Sequence, residues 1–227
     1  MSETRRVTFT GTGVEALTWG IIYMLSAILV VPIAWGAVAF NRWYVSSFEF
    51  SDGTRASFTG RGGEVWYLFI AAILVGFLPF TSYVFINDPS LFWTLYIVLY
   101  LLTILISVAI WFRLVDWFFD SIALSCGTQL TFVGGFWPFL GWYLLLMFSF
   151  VTIIGWAWVY VAFIQWVCKH VYGGDNELEF HGTGGEMLWR GILAMLASFF
   201  IIPIPWVMVW LTKWFADNLV VRQEASA

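Results

Sequence analysis

Residues 9–15 read Phe-Thr-Gly-Thr-Gly-Val-Glu, and residues 180–186 read Phe-His-Gly-Thr-Gly-Gly-Glu. Laid one on the other, they match Phe9 with Phe180, Gly11 with Gly182, Thr12 with Thr183, Gly13 with Gly184 and Glu15 with Glu186. The same register, without a gap, carries Pro32 onto Pro203, Trp35 onto Trp206, Val38 onto Val209, Arg42 onto Lys213 and Trp43 onto Trp214. A match that holds register this far marks an internal repeat.

Two further copies lie between these. Phe132, Gly134, Trp158, Val161, Phe163 and Trp166 form the third, with Pro138 in place of the Glu. Phe58, Thr59, Gly60, Gly62 and Glu64 open the second, whose Trp117 is delayed by an insertion between its two halves. The repeats run 5–54, 55–128, 129–176 and 177–223 within a single membrane domain, 1–227. Each reads as a strand ending in Phe-x-Gly-x-Gly or its remnant, an apolar helix, a break, a second helix with a Trp, and a strand into the next unit. Turn residues at Asp52-Gly53, Cys126-Gly127 and Gly173-Gly174-Asp175 predict β-hairpins at the junctions. Arg5 and Arg6 precede the first apolar run as in an export signal, but the segment recurs internally and is read as part of the first unit.

Of the 227 residues, 61% are hydrophobic and 11% charged, against roughly 25% charged in soluble domains, and mean hydropathy is +0.86. Charge-free runs at 16–40, 65–86, 91–112, 130–167 and 191–212 each reach the roughly 20 residues of a spanning helix, so at least five membrane segments are expected. All ten Lys and Arg lie at unit junctions or ends, and none lies near the breaks at Pro32, Pro89, Gly155 and Pro203. The positive-inside rule then places the junctions and both termini in the cytoplasm. Each unit is thus expected to be a helical hairpin, the second spanning fully and turning at Asn87-Asp88-Pro89-Ser90. In a competing topology the first, third and fourth units span once and lay their second helices on the surface. The one-sided arrangement is preferred because the leading strand, 6–10, and the trailing strand, 218–222, can then pair and close a ring instead of leaving edges.

Thr12-Gly-Val-Glu15 and Thr183-Gly-Gly-Glu186 have capping-box spacing, and Glu64 keeps half of it behind Arg61. The functional alternative is a ring of Glu15, Glu64 and Glu186 that binds a cation or relays protons. The residue before the repeated Trp is Arg42, Asp116, Gln165 or Lys213. Salt bridges between units, with Asp116 neutralising Arg42 or Lys213, explain the varied sign. Sixteen Trp, including Trp19, Trp35, Trp43, Trp66, Trp117, Trp166 and Trp214, suit an aromatic belt at the headgroups, with a pigment or quinone site as the alternative.

His170 and His181 share the third junction without a metal-ligand spacing. Cys126 and Cys168 form neither a redox pair nor a metal motif, and both read as reduced structural residues. No nucleophile elbow, Walker loop or His-Glu-x-x-His helix occurs, so no enzyme activity, cofactor or metal is expected. A net charge of −4 without a basic tract argues against nucleic acid.

The unit of Phe-Thr-Gly-Thr-Gly-x-Glu, apolar helix, Pro-x-x-Trp break and Trp-containing helix resembles the repeat of the YjgN-like family of bacterial inner-membrane proteins. The resemblance covers most of the chain, is strongest over 9–43 and 180–214, implies an inner-membrane location, and carries over no active-site residues. The expected fold is mainly α and membrane-embedded, four pseudo-repeats of strand plus helical hairpin with short β-hairpins at cytoplasmic junctions. The expected function is that of a non-enzymatic structural or accessory subunit, with the bilayer and other membrane subunits as partners. The alternative is a small transporter or channel along the pseudo-symmetric axis.

Overall fold

Every Phe-x-Gly stretch is where a strand ends and a helix begins, and each unit returns to the strand from which it left. The computed structural model describes residues 4–85, 88–174 and 176–223; Asn87 of the expected interhelical turn and Asp175 of the third hairpin lie outside them. The first unit runs β1 (Thr4–Phe9), α1 (Gly13–Ile28), α2 (Ile33–Ser46) and β2 (Phe48–Phe50). The second runs β3 (Ala56–Phe58), α3 (Gly62–Gly76), a 3-10 turn, α4 (Thr81–Phe85), α5 (Pro89–Asp120) and β4 (Ile122–Leu124). The third comprises β5 (Thr131–Phe132), α6 (Phe136–Ser149), α7 (Trp156–Lys169) and β6 (Val171–Gly173). The fourth comprises β7 (Asn176–Phe180), α8 (Gly184–Ser198), α9 (Ile204–Asp217) and β8 (Leu219–Gln223).

The strands form a curled antiparallel six-strand half-barrel, β2-β1-β8-β7-β6-β5, and a separate pair, β3-β4. Isolated bridges Glu49↔Arg55 and Ala123↔Gln129 tie that pair to the two edges of the half-barrel, so pairing runs through all eight strands. The first and last strands meet as expected, in the register Thr4↔Arg222, Arg5↔Val221 and Arg6↔Val220. One backbone bond recurs in every unit: the amides of Thr10, Thr59, Val133 and His181 donate to the carbonyls of Ser47, Ser121, His170 and Asn218, at 2.8–2.9 Å. It pins the end of each leading strand to the end of its own second helix. The competing topology, with junctions on alternating sides, does not fit this return. Gly53, Gly127 and Gly174 take φ of +81°, +87° and +65° at the junction turns, where glycine is at ease and other residues are not.

Strand residues alternate, with Val7, Phe9, Ala56 and Phe58 buried on one side while Thr8 and Ser57 are exposed on the other. Each inward Phe meets its unit's repeated Trp edge to face: Phe9–Trp43, Phe58–Trp117, Phe132–Trp166 and Phe180–Trp214 have centroids 5.3–6.2 Å apart and interplanar angles of 79–86°. The glycine two residues on lies beneath the Phe ring. A Cβ at Gly182 would stand 2.5 Å from Phe180 and 2.9 Å from Trp214, and one at Gly11 would stand 2.6 Å from Phe9.

The next motif glycine serves the neighbouring unit. A Cβ at Gly62 would meet Trp35 at 2.9 Å, one at Gly184 would meet Trp158 at 2.5 Å, and one at Gly13 would meet Trp206 at 2.5 Å. In the remaining junction the sizes are reversed: Ala109 holds the Trp register, and Phe136, in the glycine register, packs on Phe112 at 5.8 Å. Helices therefore contact around a closed circuit, α2 on α3, α5 on α6, α7 on α8 and α9 on α1.

Three of the five long apolar runs are broken. Among the described residues two helical runs are long and apolar enough to cross a bilayer, 62–83, 22 residues, in which α3 continues through the 3-10 turn into α4, and 91–120, 30 residues, where at least five such segments were expected. The breaks fall where the chain reverses at Pro32 and Pro203, the N-caps of α2 and α9, and at Gly155, the N-cap of α7. Val30 and Ile153, in the same repeat register, carry φ of 62° and 64° at the centre of γ-turns closed by Val31 to Leu29 and Ile154 to Thr152 hydrogen bonds of 2.7 Å, a strained backbone for a β-branched residue.

Gly182→Ala is expected to destabilise the protein by about 1–3 kcal/mol through overpacking, read as a lower thermal midpoint in detergent. Gly185→Ala is the control: a Cβ there meets nothing within 4 Å, so no loss is expected.

Candidate functional site

The polar side chains singled out by sequence fall at the Phe–Trp contacts. The Thr12 side chain accepts the Glu15 amide at 3.3 Å, while Glu15 Oε2 accepts the Thr12 amide at 2.9 Å and its hydroxyl at 3.0 Å. Thr183 and Glu186 repeat the exchange at 3.3 Å in both directions. Glu64 accepts the Arg61 amide at 3.1 Å; since an Arg side chain accepts nothing, this is half a box.

The same carboxylate oxygens also accept the indole N–H of the repeated Trp: Trp117 at 2.9 Å, Trp214 at 3.4 Å and Trp43 at 3.5 Å. Sequence reading missed this bond. Its signal was the third unit, which lacks the Glu and sets Trp166 against His170 instead, the rings tilted by 37° with centroids 4.6 Å apart. Each Glu is thus engaged within its own unit, and no three His, Cys, Asp or Glu side chains gather at a metal-holding distance among the described residues. The Thr12 amide holds the Glu15 carboxyl below its ordinary range, and the Thr183 amide does the same for Glu186.

Arg42 and Lys213 are exposed, and Asp116 meets Arg113 of its own helix at 3.7 Å. No ion pair joins Asp116 to Arg42 or Lys213 among the described residues, which corrects the inter-unit salt bridge. The physical reason is helical geometry: the Trp turns inward onto its Phe, so the residue before it points about 100° away. Gln165 does cross units, donating from Nε2 to the carbonyl of Phe180 at 3.3 Å.

The aromatic belt also needs revision. Trp43 and Trp214 are buried and Trp117 and Trp166 half-buried, held by packing rather than by an interface, whereas Trp66 and Trp93 are exposed. Arg190 lies among aromatics, its guanidinium 4.4 Å from Trp189 and 5.1 Å from Trp214. His181 faces Glu179 at 3.5 Å, and His170 Nδ1 lies 2.7 Å from the Trp166 carbonyl oxygen. Cys126 is exposed and Cys168 buried.

At the centre, the strands and the ends of α2, α5, α7 and α9 line a partly open cavity of about 360 Å³. All four units line it, among them Val7, Leu124, Val171 and Leu178, and its lining residues include no charged side chain. A second cavity of about 330 Å³ reaches between α7, α8 and α9 and shares Tyr44, Tyr160, Ile164 and Phe215 with the first.

No protein-family model, curated protein or solved structure matches the chain.

Glu186→Gln tests the carboxylate's role, since Gln keeps the capping geometry but cannot titrate. A carboxyl with a lowered folded-state pKa contributes stability above its unfolded value, and that stability is lost as pH falls through the folded one. The wild type should therefore be the more stable at pH 7, and the difference should vanish as pH drops below 4.5, measured by thermal unfolding across pH.

Proposed function

We propose that this chain is a multi-pass protein of the bacterial inner membrane that serves as a non-enzymatic structural or accessory subunit of a membrane assembly. The observation that carries the reading is the outer surface of the helices. Only 17% and 11% of the apolar windows of the two long helices are buried, the reverse of a core helix in a soluble protein. Their exposed side chains include Leu74, Phe77, Trp93, Ile97 and Leu101, a surface that suits hydrocarbon and not water.

The short hairpins carry the same character to their tips. Ile153, Phe199, Ile201 and Ile202 are 79–80% exposed, yet the turns hold hydrogen bonds such as Val31 to Leu29 at 2.7 Å, Ile154 to Thr152 at 2.7 Å and Phe200 to Ala197 at 3.1 Å. Backbone satisfied internally beneath apolar side chains is what a hydrocarbon environment requires. Helices of 14–16 residues reach about 21–24 Å at 1.5 Å per residue, short of the roughly 30 Å core. In this reading the second unit crosses the bilayer, the other three dip into it, and the basic junctions keep the strand ring in the cytoplasm.

A transport pathway finds less support: the cavity on the ring axis is lined by apolar side chains and tyrosines, and Glu15, Glu64 and Glu186 are held at separate caps.

Affinity purification in mild detergent is expected to recover stoichiometric membrane partners; a lone homogeneous species would count against the accessory role. Topology has a sharper test with an impermeant maleimide on intact cells. Cys126 should label only after permeabilisation, and Cys168 not until unfolding, because burial pushes its thiol up to about 12. In a cysteine-free background Asp88→Cys should label from outside, while Ile201→Cys, at a dipping tip, should resist reagent from either side.

A further inference from the structure

The central cavity is partly open, and its lining is apolar apart from Tyr44, Tyr160 and Cys168. Phe119 and Phe215 line it without filling it, together with Val7, Leu124, Leu178 and Leu219. Apolar clefts of roughly 300–1,000 Å³ with a few placed polar groups are the usual form of a ligand site.

The polar groups present define the occupant's chemistry. Tyr44 and Tyr160 border both cavities, and Thr212 lines the second. These residues come from α2, α7 and α9, while the strand residues lining the cavity offer aliphatic and aromatic carbon. The lining residues hold no charged partner for an ionised head, so a carboxylate or ammonium would lose its hydration without compensation. Met187 and Met208 line the second cavity and supply adaptable packing.

We infer that the paired cavities at the centre of the four units bind one uncharged lipid-soluble molecule, its apolar chain inside the strand ring and its single oxygen-bearing head at the Tyr44, Tyr160 and Thr212 hydroxyls. A long-chain alcohol, ketone or ester, of acyl or isoprenyl origin, has that chemistry. The site is independent of the accessory-subunit reading, since it needs only the ring and the four second helices.

The test is native mass spectrometry of the full chain released from detergent, with 1-dodecanol as probe and dodecanoate at pH 8 as its charged counterpart. One dodecanol should bind per chain, and dodecanoate at least tenfold more weakly. Ala56→Phe, which grows into the cavity from β3, should abolish the adduct, with Leu178→Phe as the second filling variant should the first not fold. Tyr44→Phe keeps the shape and removes one hydroxyl, so it should weaken dodecanol binding about tenfold, the worth of roughly one neutral hydrogen bond. Mass analysis of lipid extracted from unsupplemented protein then separates the acyl from the isoprenyl source. The inference is overturned by no dodecanol adduct, by equal adducts in the filled variants, by equal affinity for dodecanoate, by an unchanged affinity in Tyr44→Phe, or by a charged phospholipid as the stoichiometric native occupant.

Discussion

The ladder between β1 and β8 is the constraint on which the rest depends. Three residue pairs join the beginning of the described chain to its end, and without them the leading and trailing strands would be open edges of a sheet. Once they pair, all four units must leave from and return to the same ring, so every helical pair stands on one side of the strands. The distribution of charge follows: outside the helices, ion pairs gather on the strand ring and its hairpins, with Arg5 on Asp52 at 2.9 Å, Arg55 on Glu49 at 3.0 Å and Arg222 on Glu179 at 3.0 Å.

Within that ring one contact is repeated and varied. Phe, Gly and Trp interlock in each unit, and in three units a Glu caps the first helix and accepts a hydrogen bond from the Trp indole N–H, joining helix start, helix end and strand at one point. The third unit departs from this pattern: with Pro138 in the Glu register, its Trp166 turns to His170, and its junction with the second unit exchanges the Trp-over-Gly contact for Phe136 against Phe112. A single substitution at these points therefore touches two elements or two units at once. That coupling explains why the motif is kept while the helices between its copies diverge.

The unequal depth of the units has a different origin. The insertion in the second unit extends its first helix through α4 and lengthens its second, while the first, third and fourth units reverse after fewer than five turns. In the proposed bilayer setting this places one crossing hairpin beside three that end among acyl chains, an arrangement that disturbs lipid packing locally and leaves the long α5 with a largely exposed flank for lipid or partner helices. The central cavity is set by the ring instead: four second helices converge on it with large side chains, but at a spacing fixed by strand pairing.

The amino-acid sequence by itself determined what repeats and local chemistry can fix. Register between copies marked the four units, Gly53, Gly127 and Gly174 marked the turns, Thr12 and Thr183 marked the helix starts, and the need to cover edge strands pointed to pairing of the first strand with the last. Each rests on spacing along the chain or on one residue's backbone preference. What only the tertiary structure decided rests on which helix face meets which neighbour. The sequence showed Trp43 and Trp214 as amphipathic rings, but their burial against Phe9 and Phe180 depends on how each second helix crosses its strand. It likewise showed Arg42, Asp116 and Lys213 as opposite charges in one register, but the same rotation that turns the Trp inward carries the charges out and apart. Helix depth was hidden for a related reason, because an uninterrupted apolar run records only composition, and the reversals at Val30 and Ile153 are held by packing between the two helices they join.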